Sequence, residues 1–484
     1  MRWSDHIPLN IYWLGLNVSS GVITPVLLPY LVAIFAPAEL KNTYLATIRV
    51  VSLGVAMAMQ PIAGMLSDRS TCRWGRRRPF IVAGTALDLL FLAMIGSSPL
   101  LLGSRIDPVF RTTFGVSAAY AALLLGVVLL QLSSNLAHGA VQGLIPDLVP
   151  SDQRGRSSGI KAVMEMLPVF FVILVGPLVD AGRIWLTVGI VMITLTLAAA
   201  ITATFVHEKP LLRPAAGPLG GRILRLVALA ALFVLVTQGA VWGVKAGGRL
   251  LDGHGVGPAA QIAAVGSIGL LAMAGSVFVG VYAGATIAIG RQARDRKPFI
   301  WWVINRLLFL AALSSVQGFA QYFISDVLRI PRPATFTTVL LGVVGLFLLP
   351  SALGGGWLAD RIGPRPLVAG AGLVAGGGTL LLLFSGGIPV TLVAASLIGL
   401  GAGTFMATNW ALGTDLVPAR EAGRYLGISN LAGAGAGIVG AGIGGPMADF
   451  FNAARPGLGY LVIFALYGAL FLLSSLALTQ VRTR

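Results

Sequence analysis

Charge, cysteine and histidine are all scarce in this chain. Of its 484 residues only 11% are charged, one is cysteine (Cys72) and four are histidine. A single cysteine excludes an internal disulfide and any multi-thiolate site. No histidine has a second ligand at metal-binding spacing, so no metal is expected. The sequence also lacks a nucleotide-cradling glycine loop and any catalytic motif, which argues against an ATP-driven pump or an enzyme and leaves no cofactor to expect. Acidic residues are half as many as basic ones, 17 against 34, giving a formal net charge of +17. That excess does not point to nucleic acid, because the basic residues sit in short clusters between apolar runs.

Those runs dominate the chain. Hydrophobic residues make up 56% of it, with a mean hydropathy of +0.87. Repeated apolar stretches of about 20 residues or more are long enough to cross a ~30 Å hydrocarbon core. They are continuous rather than alternating, so they form helices and not barrel strands. The expected fold class is an all-α membrane protein. Fourteen spans are read at about 9–34, 43–66, 79–102, 114–142, 157–180, 183–205, 223–244, 259–290, 299–325, 335–353, 367–384, 389–412, 425–448 and 457–480. The segment Met1–Leu9 leads into a span too long for a signal-peptide core, so no cleavage is expected.

With the N-terminus inside, 23 of the 34 Lys and Arg residues fall in cytoplasmic segments and nine outside, while Arg49 and Arg306 lie within spans. This bias sets both termini in the cytoplasm of a multi-pass protein of the inner (plasma) membrane.

An internal repeat sets the organisation. DLVPSDQRGRSSGI (Asp147–Ile160) and DLVPAREAGRYLGI (Asp415–Ile428) coincide at Asp, Leu, Val, Pro, Gly, Arg, Gly and Ile. GPLVD (Gly176–Asp180) answers GPMAD (Gly445–Asp449), and GMLSDR (Gly64–Arg69) answers GWLADR (Gly356–Arg361). Two six-helix halves duplicated in parallel follow, over 1–210 and 298–484. Between them, 211–297 holds a linker and two inserted helices, an even number that leaves both halves equally oriented.

These loops resemble the major facilitator superfamily, whose halves each carry Gly-x-Leu-Ser/Ala-Asp-Arg between their second and third helices. SDRSTCRWGRRRPFI (Ser67–Ile81) and NLAHGAVQGLIPDL (Asn135–Leu148) further resemble the glycoside carrier group, the plant sucrose carriers and their animal relatives. The chain departs from that group at Gln142, where those carriers have Arg, and in the two extra central helices. The resemblance implies alternating access between two halves, with the first and fourth helix of each half lining the pathway.

Polar residues fall in stripes on those four helices. Asn10, Trp13, Asn17, Ser20 and Thr24 mark the first span, and Gln131, Asn135, His138 and Gln142 the fourth. Arg306, Ser314, Gln317 and Gln321 mark the span at 299–325, and Thr404, Thr408 and Asn409 the one at 389–412. One such stripe is as well explained by helix-to-helix hydrogen bonds. Four on the expected helices point to a water-filled pathway for a small polar solute, with aromatics to stack it and amides to bond it. Asp88, His138, Glu165 and Arg306 each lie nine residues from a cytoplasmic marker, ~14 Å along a helix and so near mid-membrane. Glu165, one turn from Lys161, is the leading proton-coupling residue, with Asp88 and Arg306 as the others.

A cytoplasmic gate is expected from Gly64, Asp68, Arg69, Arg76, Asp147, Arg154 and Arg156, and from Gly356, Asp360, Arg361, Asp415 and Arg424 in the second copy. Gly64 and Gly356 would let helix ends approach, and Arg76, Arg77, Arg78, Arg154 and Arg156 would pair with Asp68 and Asp147. The run Arg76–Arg78 by itself is better explained as a solvated basic loop that fixes topology. The expected function is secondary transport of a sugar or glycoside with protons. Export of amphiphilic compounds, or a non-transporting membrane scaffold or pigment-assembly factor, are the alternatives. The partners are then the solute, protons and membrane lipid, without nucleic acid, around a monomer.

Overall fold

The structure, a computed structural model, describes residues 2–208, 210, 219–252, 258–289, 297–416 and 422–481. Among these the chain is helical, with no strand. Thirteen segments are long and apolar enough to cross a membrane. In chain order they are α1 (Trp3–Phe35), α2 (Ala38–Ser67), α3 (Arg78–Leu101), α4 (Ala118–Leu148), α5 (Ser151–Asp180), α6 (Ile184–Phe205), α7 (Gly220–Leu250) and α8 (Ala260–Ile287). There follow α9 (Lys297–Asp326), α10 (Pro333–Ile362), α11 (Pro364–Phe384), α12 (Ile388–Gly413) and, after the 33-residue helix α13 (Ala422–Ala454), α14 (Leu458–Gln480). All fourteen expected helices are therefore present in order.

Proline shapes several of them. A π-helical turn interrupts α1 at Ile23–Leu27, around Pro25 and shortly before Pro29, since each proline removes a ladder donor. The span α5, read from the sequence as continuous, is broken into Arg154–Met166, Pro168–Val172 and Gly176–Asp180. Pro168 cannot donate to the carbonyl of Met164, so the ladder fails one turn beyond Glu165.

The chain forms two compact units, Met1–Pro37 with Val55–Val227, and Ala38–Gly54 with Ala228–Arg484. In the first, α1 packs on α5 and α6, and α3 on α4 and α6. Small residues set the closeness of these contacts. A Cβ on Gly139 of α4 would collide with the Gln60 carbonyl of α2 and come within 2.8 Å of the Gly64 nitrogen. Gly64 thus marks a close helix approach, as expected. Gly356 does not: among the described residues nothing lies within 4 Å of a Cβ there, and the close contact falls one residue earlier, where Gly355 meets the Thr404 backbone at 3.3 Å.

In the second unit α9 packs on α13 and α14, α10 on α12, and α11 on α12 and α14. The first turns of α2 are fastened here. Lys41 pairs with Asp326 at 2.6 Å. Asp449 of the GPMAD repeat accepts the backbone N–H of Asn42 (3.2 Å) and Thr43 (2.6 Å) and the Asn42 amide (2.8 Å). A carboxylate on the exposed N–H groups of a helix start satisfies donors that have no partner within the helix. The inserted helix α8 rests on α13, α9 and α14. Its Gly280 and Gly284 accommodate Phe233 and Leu229 of α7, at 2.5 and 2.9 Å from a Cβ built on each. The small-residue face of α8 is thus a packing surface for its own partner helix.

Outside the spans, Asp107 opens a short helix, Asp107–Phe114. It accepts from Arg111 Nε (2.8 Å) and from the Ala118 backbone (2.8 Å). The Arg111 guanidinium, followed by these backbone donors, holds its carboxyl below the usual carboxylate range.

Candidate functional site

In the first unit, side chains from α1, α4 and α5 converge on Trp13. The Lys161 ammonium lies over the Trp13 ring, 4.1 Å from its centroid, and pairs with Glu165 at 3.2 Å. His138 meets the same indole edge-on, with centroids 5.0 Å apart, and its Nε2 lies 3.4 Å from Gln142 Nε2. The result is an aromatic face bordered by an imidazole, an amide and an ion pair whose partners are about a third exposed. Sequence periodicity identified His138, Gln142 and Glu165, but treated Lys161 only as a neighbour of Glu165. Its place over Trp13 depends on how α5 meets α1, which no local pattern encodes.

Other stripe residues spend part of their capacity on their own helices. The amide of Asn17 donates to the Trp13 carbonyl at 2.9 Å, and that of Asn135 to the Gln131 carbonyl at 2.8 Å and to its Oε1 at 3.1 Å. Such back-bonding satisfies the donor and leaves the amide oxygen for a second partner. Ser20 is exposed. Asp88 is fully buried, with Ser133 Oγ donating to its Oδ1, and its Oδ2 makes no hydrogen bond among the described residues. Nearby, Tyr12 Oη and Thr85 Oγ1 share a hydrogen bond of 2.8 Å. Asp88 therefore sits in a buried polar contact between α3 and α4, near the Tyr12–Thr85 hydrogen bond that joins α1 to α3.

The second unit presents a smaller cluster between α9 and α12. Arg306 Nη1 donates to Asn409 Oδ1 at 3.1 Å, and its guanidinium lies 5.3 Å from the Trp410 ring centroid. Asn409 Nδ2 donates to Asn305 Oδ1 at 2.8 Å, Asn305 Nδ2 to the Ser474 carbonyl at 2.8 Å, and Trp302 Nε1 to the Asn409 carbonyl at 3.0 Å. Thr408 is buried and bonds back to the Thr404 carbonyl at 2.7 Å. Gln321 is buried. Gln317 borders an apolar recess between α9, α10 and α12, with Val316, Ala320, Leu341 and Ala395. Asn305 and Trp302 escaped the sequence reading because an asparagine beside an arginine on one helix gives no sign that it orients a residue on another.

At the loop after α2 the basic run is not a solvated patch. Arg77 is only 5% exposed. Its Nε donates to Asp147 (2.9 Å), its Nη1 to Ser67 Oγ (2.5 Å), and its Nη2 pairs with Asp68. Arg76 pairs with Asp147 as well. Glu208, just past α6, accepts the backbone N–H groups of Arg77 (2.9 Å) and Arg78 (3.0 Å) at the start of α3. Gly75 has φ +108°, and a Cβ there would run into the Glu208 side chain. Only glycine supplies both the conformation and the room. The sequence offers Arg77 both as a partner of Asp68 and Asp147 and, more readily, as part of a solvated loop, and it has no signal for Glu208. Burial and a fork of acceptors are what separate Arg77 from an ordinary topology charge.

Arg154 bonds the carbonyls of Val149 (3.2 Å) and Pro146 (3.0 Å) instead of either aspartate. Arg69 and Arg156 make no ion pair among the described residues. In the second copy Arg361 lies over Trp357 at 3.8 Å, while Asp360 is exposed and forms no ion pair among the described residues. The side chains of Asp415 and Arg424 lie outside the described residues. Among the described residues no group of His, Cys, Asp and Glu could hold a metal ion.

Helices long and apolar enough to cross a membrane, two of whose clusters combine tryptophan, amide and charge, define a multi-pass membrane protein with a polar interior. The Major Facilitator Superfamily model matches residues 14–441, and the chain belongs to that superfamily. Among curated relatives it is 27% identical to the general alpha-glucoside permease of Schizosaccharomyces pombe, over 42% of this chain and 37% of the permease. It is 33% identical to the sucrose transport protein SUC3 of Arabidopsis thaliana, over 22% of this chain and 18% of that protein. The chain thus spans well under half the length of the curated relatives it matches. Among solved structures, a D-xylose–proton symporter superposes with a TM-score of 0.65 at 15% identity, covering 99% of this chain and 97% of the symporter. A peptide transporter of the POT family superposes with a TM-score of 0.65 at 16% identity, covering 98% and 93%. These two share the fold.

Proposed function

We propose that this chain is a secondary active transporter that moves a sugar or glycoside together with protons by alternating access. The observation that carries the reading is the cluster at Trp13. Trp13 is only 3% exposed and Lys161 covers its ring. Once the ammonium moves aside, the indole can stack a sugar ring, Gln142 and His138 can bond its hydroxyls, and the Glu165 carboxylate can take up a proton. The relatives named for sucrose and α-glucoside support a hydroxylated solute. Asn17, Ser20, Gln131 and Asn135 are the other candidate contacts of the first half, and Arg306, Gln317, Gln321, Thr408 and Asn409 those of the second, of which Gln321, Thr408 and Asn409 are buried in this structure. Residues 1–210 and 298–484 are the two moving halves, and the helix pair between them is a support packed on the second.

A thermal-shift screen of the purified protein against sugars, glycosides and drugs tests the solute class. Anything that binds only the folded state stabilises it by RT ln(1 + [L]/Kd), about 2.7 kcal/mol at a hundredfold excess over Kd. Sugars or glycosides should raise the melting temperature, while a response confined to amphiphilic drugs would replace this reading with export of such compounds.

The charge bias supports a plasma-membrane protein with both termini and the Arg69–Arg78 loop in the cytoplasm. Cys72 lies in that loop, is exposed and is the sole thiol. A membrane-impermeant maleimide should leave it unmodified in intact cells and label it after permeabilisation. Labelling of intact cells at the same rate would reverse the topology.

A further inference from the structure

A guanidinium inside a membrane helix is costly unless something balances its charge. In the first unit the balance is internal, because Lys161 has Glu165 at 3.2 Å. In the second unit Arg306 has no such partner: no carboxylate lies within ion-pair distance of it among the described residues. Among the described residues one of its five N–H donors is used, by Asn409 Oδ1, and Nε is buried without a hydrogen bond.

The guanidinium is nonetheless held firmly. Asn409 cannot turn its amide around, since its Nδ2 is committed to Asn305, whose own Nδ2 is committed to the Ser474 carbonyl. That chain fixes the Asn409 oxygen toward Arg306. Trp410, 37% exposed, has its ring centroid 5.3 Å from the guanidinium. The arrangement is an oriented cation beside a partly exposed indole, positioned by a network that supplies acceptors but, among the described residues, no negative charge. Neutral hydroxyls would fill hydrogen bonds and leave the charge unbalanced. A carboxylate or phosphate would do both, and the planar fork of an arginine suits either group.

We infer that Arg306 recognises an anionic group on the transported solute, so that the preferred cargo is a hydroxylated anion, a sugar carrying a carboxylate or a phosphate. This inference rests on the sugar or glycoside reading of the same pathway and narrows it. Arg306 then serves in binding and selectivity, while Asn305 and Asn409 position it.

Calorimetric titration of the purified protein at constant ionic strength with three matched ligands tests it: methyl α-D-glucoside, its 6-carboxylate and its 6-phosphate. At least one anion should bind about tenfold or more tightly than the neutral glycoside, a difference of ~1.4 kcal/mol. A carboxylate-only preference identifies a sugar acid, and a phosphate-only preference a sugar phosphate. Arg306→Gln should bring the anion-to-neutral ratio close to one, and Arg306→Lys should keep part of it. A purely structural Arg306 would weaken all ligands alike and leave the ratio unchanged. Equal affinity of the wild type for all three overturns the inference while the sugar reading stands. Failure of all three to bind, together with no sugar response in the thermal screen, removes both. Should Arg306→Gln not fold, the wild-type ratio and its change in Arg306→Lys decide: an unaltered ratio in the lysine variant counts against recognition by the guanidinium fork.

Discussion

Glu165→Gln is expected to abolish accumulation of solute against a gradient while leaving solute exchange within about threefold of wild type. The substitution keeps the size and hydrogen bonding of the side chain and removes its ability to carry a proton. One pH unit corresponds to 1.36 kcal/mol per proton, so one-to-one coupling sustains about tenfold accumulation. In the variant the ratio should fall to about one. The geometry gives the reason. Glu165 pairs with Lys161, and Lys161 lies over Trp13. A proton on Glu165 releases the ammonium from its partner at the face where the solute stacks, so protonation and solute binding alter one another's free energy. Accumulation in reconstituted vesicles, measured with and without an imposed pH gradient, decides this. A variant that still concentrates its solute would leave Glu165 as part of a structural ion pair, and Asp88, buried with a free carboxyl oxygen, would become the next candidate.

The second large effect is expected at Arg77. Replacing it by alanine removes contacts to Asp68, Asp147 and Ser67 from one almost fully buried side chain. Breaking a buried pair by removing one partner costs about 3 kcal/mol or more, because the remaining charge stays poorly solvated. Arg76 still reaches Asp147, and Asp68 is half exposed, which keeps the expected loss near the lower end. Spread over a chain of this length, that loss should lower the melting temperature by roughly 3 °C. Arg73, exposed in the same loop, is the control, and Arg73→Ala should stay within about 0.5 kcal/mol of wild type. Equal melting temperatures for the two variants would return Arg77 to the role of a topology charge.

Much of the architecture was legible from hydropathy. Fourteen apolar runs, a charge bias and a duplicated Asp-Arg loop lead to helices whose order agrees with the structure, while several ends run about six residues beyond the apolar run and α10 extends to Ile362, well past the expected 353. What escaped depends on contacts between helices. The break in α5 was signalled by Pro168, yet proline is tolerated in membrane helices where neighbours re-satisfy the backbone, so the residue alone does not announce a break. The GPMAD repeat was visible, while its role as acceptor for the start of α2 required knowing which helix begins beside Asp449. Arg77 could not be told from Arg73 or Arg76, because burial is a property of the packed loop. Gly356 was assigned a close approach that belongs to Gly355, a one-residue error that rotates a side chain by about 100° on a helix. The stripes of Asn, Gln and Thr mark polar residues on four helices, but several of their donors bond back to their own helix, which spacing cannot reveal.

The central claim is that a hydroxylated solute and a proton cross together through this chain. The most direct test places the purified protein in vesicles loaded with a pH-sensitive dye and adds an outward-facing pulse of the sugar or glycoside that gives the largest thermal shift. The account predicts a change of luminal pH that follows solute entry in a fixed ratio and is absent with Glu165→Gln. Solute entry at the wild-type rate with no change in luminal pH would contradict it.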